Sequence, residues 1–207
     1  MGFLLTIFSL VVLLFSVIIH EIAHGSVAFS LGDPTAKYAN RLTLNPIKHL
    51  DLVGSIFLPL FLLLITRGRG PIFGWAKPVP INPYNFKNPK LDEAKVAIAG
   101  PGSNILIALI FGLPIRFFFL PPSLFIFFSI IVILNLLLAL FNLVPIPPLD
   151  GSHILFTFLP ERWRNLEIFL KKYGIFILIF FISFFLNFIY FGVEILYSII
   201  CGKPIIM

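Results

Sequence analysis

Apolar residues fall in five runs along the chain, at 3–31, 52–65, 94–119, 124–144 and 173–200. A helix that spans a bilayer needs about 20 apolar residues, so the first, third, fourth and fifth runs are long enough to cross. The second has 14 residues and contains Pro59. Runs of about 10–14 residues are more often re-entrant, interfacial or buried than spanning. Between the runs lie two polar loops. Residues 32–51 carry Asp33-Pro34, Asn45-Pro46 and several charges, and residues 67–95 are dense in proline and glycine. Repeated prolines exclude helix there and allow short extended or edge strands joined by turns. The pattern predicts an all-α polytopic membrane protein. It has about four spanning helices, a short re-entrant or half-spanning segment at 52–65, small extended segments in the loops, and one membrane-embedded domain over residues 1–207.

Composition agrees with that reading. Of 207 residues, 59% are hydrophobic and 12% charged, against about 25% charged in soluble domains. The six excess positive charges report on topology rather than on nucleic acid, because no basic patch with interleaved aromatics stands clear of apolar sequence. A single cysteine, Cys201, excludes an internal disulfide framework and a zinc site built on thiolates. Lysine and arginine also choose between topologies. If residues 52–65 dip in and return, only Arg116 and Lys203 lie opposite the remaining basic residues; if they span, Lys37, Arg41 and Lys48 join that minority. The re-entrant arrangement is the more polarised, and it places both long loops in the cytoplasm.

Against this apolar background, His20-Glu21-Ile22-Ala23-His24 stands out. Ionisable groups at membrane depth are costly and mark function by default. Histidines four apart lie one above the other on a helix and can reach one ion, while Glu21, about 100° further round, stays free to touch a water. Catalytic zinc takes three protein ligands and keeps a position open. The other ionisable candidates near apolar sequence are His49, Asp51, Asp150, His153 and Glu194. Asp150 ends Asn142-Leu143-Val144-Pro145-Ile146-Pro147-Pro148-Leu149-Asp150, where three prolines break a helix as it leaves the membrane. Irregular backbone at that depth is tolerated where it is buried in protein or lines a wet cavity, so Asp150 is the best third ligand. His24 and Asp150 meet only if an even number of crossings separates them, which again requires residues 52–65 to return.

Three motifs, His20 to His24, Ala99-Gly100-Pro101-Gly102-Ser103-Asn104, and Asn142 through Asp150-Gly151, resemble those of the site-2 protease family of intramembrane zinc metalloproteases. Gly32 to Ala36, Leu42 to Pro46 and Gly74 to Pro80 are similar to a compact prokaryotic branch of it. The resemblance covers roughly residues 15–155, in order. It implies one Zn2+ per chain held by His20, His24 and Asp150, with Glu21 as general base. It further implies that Asn142 and Asn104 position substrate or stabilise charge. Both asparagines also suit interhelical hydrogen bonding, and the small-residue run beside Asn104 suits close helix approach.

The function expected is hydrolysis of a peptide bond in or near a transmembrane segment of a membrane protein. The enzyme would be a multi-pass protein of a prokaryotic cell membrane with its site towards the cytoplasm. Alternatives are a membrane metal-ion transporter, which needs polar residues spread over several helices, a di-iron oxidase, which needs more than the four histidines present, and a catalytically silent scaffold. His153 departs from the family pattern and reads as a cytoplasmic-edge residue, His49 as a loop residue, and Glu194 as an interhelical hydrogen-bonding group.

Overall fold

The computed structural model describes residues 2–57, 61, 64–65 and 76–205. Helix α1 spans Gly2–Ser30, a single turn α2 spans Thr35–Tyr38, and α3 runs Pro89–Phe117, α4 Pro122–Asn142, α5 Asp150–Phe158 and α6 Arg164–Cys201. α1, α3, α4 and α6 are each long and apolar enough to cross a membrane. The protein is an all-α, integral membrane protein, as the apolar runs predict. No strand occurs among the described residues, and residues 76–82 form an extended connection without ladder pairing.

Residues four apart decide how the helices meet. Ser16, His20, His24 and Ala28 form a buried stripe on α1, and Val96, Ala97, Gly100, Pro101, Asn104 and Ala108 form one on α3. Stripes of this spacing interdigitate when two helices pack. The pairing is antiparallel, since His24 meets Val96 at one end while Ser16 meets Asn104 further along. The end of α1 and the start of α3 therefore lie at the same end of the bundle, and residues 31–88 make no net crossing. Within them Leu52–Phe57 forms a π-helical turn. Residues 58–60 and 62–63 of the expected return at 52–65, and residues 66–75 after it, lie outside the described residues.

The remaining helices alternate in direction. α4 returns beside α3, with Asn135 bonded to Asn104 and Val132 beside Gly112. α6 runs back beside α4, joined by a 2.8 Å hydrogen bond between Tyr197 and Ser129 hydroxyls. Asp33, buried at the end of α1, ties the extended connection to the bundle. Its carboxylate accepts from the Thr35 hydroxyl and N–H, from the Asn82 N–H at 2.7 Å and from Asn85 Nδ2 at 2.7 Å. Burial pushes its pKa up, but these donors outweigh that and leave it below the ordinary 3.8. Glu194 is exposed on α6 and makes no hydrogen bond or ion pair among the described residues, so the expected interhelical bond is not formed there.

Candidate metal centre

Two elements bring the chemistry together. The α1 stripe aims both imidazoles at α3. On the other side, the chain leaves α4 at Asn142 and makes turns through Val144, Ile146 and Leu149 before restarting as α5 with Asp150 in its first turn. Such a restart needs the next residue to be small. A Cβ on Gly151 would lie 2.5 Å from the Leu143 carbonyl carbon and 2.6 Å from the Val144 oxygen. The Asp-Gly pair thus places a carboxylate at a helix N-terminus, where negative charge is favoured, while the start of α5 packs against the Leu143–Val144 backbone that follows α4.

His20 Nε2 and His24 Nε2 are 3.0 Å apart, and Asp150 Oδ2 lies 3.1 Å from the first and 3.3 Å from the second. The tautomers follow from the opposite ring atoms. His20 Nδ1 is 2.7 Å from Asn104 Oδ1, and His24 Nδ1 is 2.7 Å from the Val96 carbonyl oxygen. Both partners only accept, so both Nδ1 atoms carry hydrogen and both neutral imidazoles turn a lone pair on Nε2 inward. The close Nε2 pair is therefore two acceptors facing each other, not a hydrogen bond. Asp150 Oδ2 adds a third, and it is buried without a hydrogen-bond donor.

Three converging acceptors repel one another unless a cation lies between them. Ligand atoms 2.0–2.1 Å from one tetrahedral ion are about 3.3 Å apart, close to the separations found. Gly100 completes the fit from the α3 side. A Cβ there would sit 2.6 Å from His20 Nε2 and closer still to His24 Nε2, so only glycine lets α3 approach while the nitrogens stay free for an ion. His20, His24 and Asp150 fit a zinc ion by donor type, count and spacing.

Glu21 lies beside this triad on the wall of a cavity of about 360 Å³. That wall also includes Pro78, Val79, Ile81, Asn142 and His153. Glu21 Oε2 accepts the Val79 N–H at 2.7 Å. In Pro78-Val79-Pro80, Val79 carries the single N–H, because proline has none. Asn142 donates Nδ2 to Leu138 O at 2.9 Å and reaches the cavity. Asn104, for which both substrate positioning and interhelical bonding were open, is fully buried, and its amide groups are taken up by His20, Ser16 and Asn135.

His153 is an exposed residue that also lines the cavity, with Nδ1 3.7 Å from Glu93 Oε2. His49 is buried in a 3-10 turn, bonding the Thr43 carbonyl through Nε2 at 2.8 Å, away from the triad. Sequence reasoning missed Val96, Val79 and Asn135, while the close helix approach expected at the small-residue run is met by Gly100. Val96 and Val79 act through backbone atoms and leave no side-chain signal; Asn135, an amide inside an apolar run, was the one visible sign.

A profile of peptidase family M50 matches residues 119–186, a stretch containing Asn135, Asn142 and Asp150. The Bacillus subtilis (strain 168) protein named "Putative zinc metalloprotease YwhC" is 42% identical over 174 residues, 79% of this chain and 74% of its own. The Mycolicibacterium smegmatis protein named "Putative zinc metalloprotease Rip2" is 33% identical over 158 residues, 74% of this chain and 58% of its own. "Zinc metalloprotease MJ0392" of Methanocaldococcus jannaschii is 32% identical over 81 residues, 39% of this chain and 24% of its own. No solved structure matches. The chain belongs to peptidase family M50, and the resemblance to site-2 proteases holds. Its activity is that of an intramembrane zinc metalloprotease with zinc as cofactor; neither a transporter nor a silent scaffold finds support.

Proposed function

We propose that His20, His24 and Asp150 hold the catalytic zinc and that Glu21 is the general base, within one domain formed by residues 1–207. The observation that carries this reading is the meeting of three lone-pair atoms, 3.0–3.3 Å apart, beside a glutamate on a cavity wall. Held by His20, His24 and Asp150, a zinc ion would supply Lewis acidity, lowering the pKa of a bound water to about 7 and polarising the scissile carbonyl. Glu21 takes the proton from the attacking water and delivers it to the leaving amide nitrogen, restoring its carboxylate. The Val79 N–H holds Oε2, which leaves Oε1 to do that work. Asn142 reaches the cavity with an amide that can face the developing oxyanion.

The substrate is a membrane-spanning or membrane-inserted segment that unwinds locally, because a helical peptide bond is shielded by its own hydrogen bonds. Residues 76–82 supply an extended run beside Glu21 onto which such a segment can add as a strand. In this state the Lys77, Val79 and Asn82 amides bond His49 O, Glu21 and Asp33. The run then receives the incoming chain through its carbonyls. The cavity faces the cytoplasm of a prokaryotic cell. Lys37, Arg41, Lys48, Lys77, Lys87, Lys90, Lys95, Arg162 and Arg164 belong to segments at the metal end, while Arg116 and Lys203 belong to the other.

Metal analysis paired with cleavage of model transmembrane segments tests the assignment. His24→Ala and Asp150→Ala lose zinc, and Glu21→Gln keeps zinc and loses cleavage. Full zinc occupancy in Asp150→Ala would remove the third ligand.

A further inference from the structure

Asn135 lies on α4, fully buried and away from the cavity wall. A primary amide inside an apolar helix bundle is costly unless its groups are bonded. Its Nδ2 donates to the Ile131 carbonyl at 2.9 Å, and its Oδ1 accepts from Asn104 Nδ2 at 2.9 Å. Asn104 Oδ1 in turn faces His20 Nδ1 at 2.7 Å.

This chain has a direction, set at its far end. The Ile131 carbonyl can only accept, so it fixes which arm of the Asn135 amide is nitrogen. The Asn135 oxygen then points to Asn104 and draws the Asn104 nitrogen towards it. The Asn104 oxygen is left facing His20, the His20 proton is held on Nδ1, and Nε2 is kept as a lone pair. His24 reaches the same tautomer from one backbone oxygen, Val96 O, which cannot turn over. The route to His20 passes through two side-chain amides, each able to flip. Without Asn135, the remaining partner of Asn104 Nδ2 is Ser16 O at 3.3 Å, a longer bond.

We propose that Asn135 is a positioning residue for the metal centre, fixing through Asn104 the tautomer in which His20 presents Nε2 to zinc. The proposal rests on the reading of His20 as a ligand. Outer partners that orient metal-ligating histidines change metal affinity by about 10–100-fold when lost, and a residue one bond further out should fall at the low end of that range.

The test uses the full chain in detergent or nanodiscs. Zinc affinity is read by chelator competition for the parent, Asn135→Leu, Asn104→Ala and the double variant, and the melting temperature of each is measured without metal. Asn135→Leu weakens zinc binding about tenfold in the parent. In the Asn104→Ala background the same change has less than a twofold effect, because the relay is already cut. Where Asn135→Leu does not yield folded protein, Asn135→Ala is read in the same way. Parent-like zinc affinity in the folded Asn135 variant overturns the proposal. So does an equal loss in both backgrounds, the mark of a general packing role. His20→Ala separates the two levels. If it keeps zinc, the ligand assignment itself falls; if it loses zinc while the Asn135 variant binds like the parent, only the relay falls.

Discussion

At the end of the bundle remote from the metal centre, Ile115, Val132, Val193, Ile200 and Cys201 close the contact between α3, α4 and α6 with apolar packing, to which Tyr197 adds a hydroxyl bond to Ser129 and Arg116 a bond to the Ile199 carbonyl. At the metal end, the buried positions between α1, α3 and α5 include Ser16, His20, His24, Asp33, Asp92, Asn104 and Ser152. Lipid is as apolar as leucine, so the first end gains little from hiding its surface and depends on close fit. The second end is held by directed bonds whose donors and acceptors cannot be exchanged. Small changes of volume should therefore loosen the far end without touching chemistry. At the metal end, a change of one proton position or one Cβ alters what the site can hold.

Substitutions can separate the two ends, and the largest effects on cleavage fall on the triad. Asp150→Ala abolishes both zinc binding and cleavage, read by metal analysis and gel assay, because two imidazoles alone leave the ion underligated. Glu21→Gln retains zinc and lowers the cleavage rate by about 10²–10⁴-fold, the usual range for a lost general base. Gly100→Ala pushes a methyl group against both Nε2 atoms and weakens zinc binding by about 10–100-fold, comparable to losing an orienting partner. The helical circular dichroism of that variant stays at the parent level, since alanine favours helix.

Asp33→Asn removes one acceptor from the anchor of residues 82–85 and lowers cleavage only a few-fold, a loss seen in turnover and not in zinc content. The pH dependence of this anchor has a definite sign. Folding lowers the Asp33 pKa, so its contribution is fully present above the ordinary value of 3.8 and is lost as pH falls through the lowered native value. Amide exchange at Asn82 should accelerate on acidification and do so earlier than exchange in α4, once corrected for intrinsic rates. Ile115→Ala, at the far end of α3, is the smallest perturbation of the site and the sharpest test of the contrast. It costs about 2–5 kcal/mol of stability as a buried cavity and leaves zinc affinity unchanged, measured by thermal unfolding and chelator competition.

Much of this was legible in the order of residues. Four spans follow from run length, and both histidines on one face follow from their spacing of four. Asp150 followed from the prolines before it, since a helix broken at membrane depth must border protein or water. The even crossing count was readable too, and the antiparallel pairing of His24 with Val96 bears it out. Other features were out of reach for definite reasons. A backbone carbonyl such as Val96 O has no sequence signature, so the tautomer of His24 could not be read. The restart of α5 at Asp150 was hidden because the preceding prolines report where helix stops, not where it resumes.

The sequence by itself determined the class of chemistry. A covalent chain with histidines four apart, a neighbouring glutamate and a proline-broken acid in an apolar background carries the donor types that zinc needs. What only the tertiary structure decided is which lone pairs converge. That depends on contacts across 31 residues from Asn135 to Asn104 and 84 from Asn104 to His20. Hydrogen-bond direction between helices is fixed by which carbonyl each amide meets, a relation that exists only once the helices are packed.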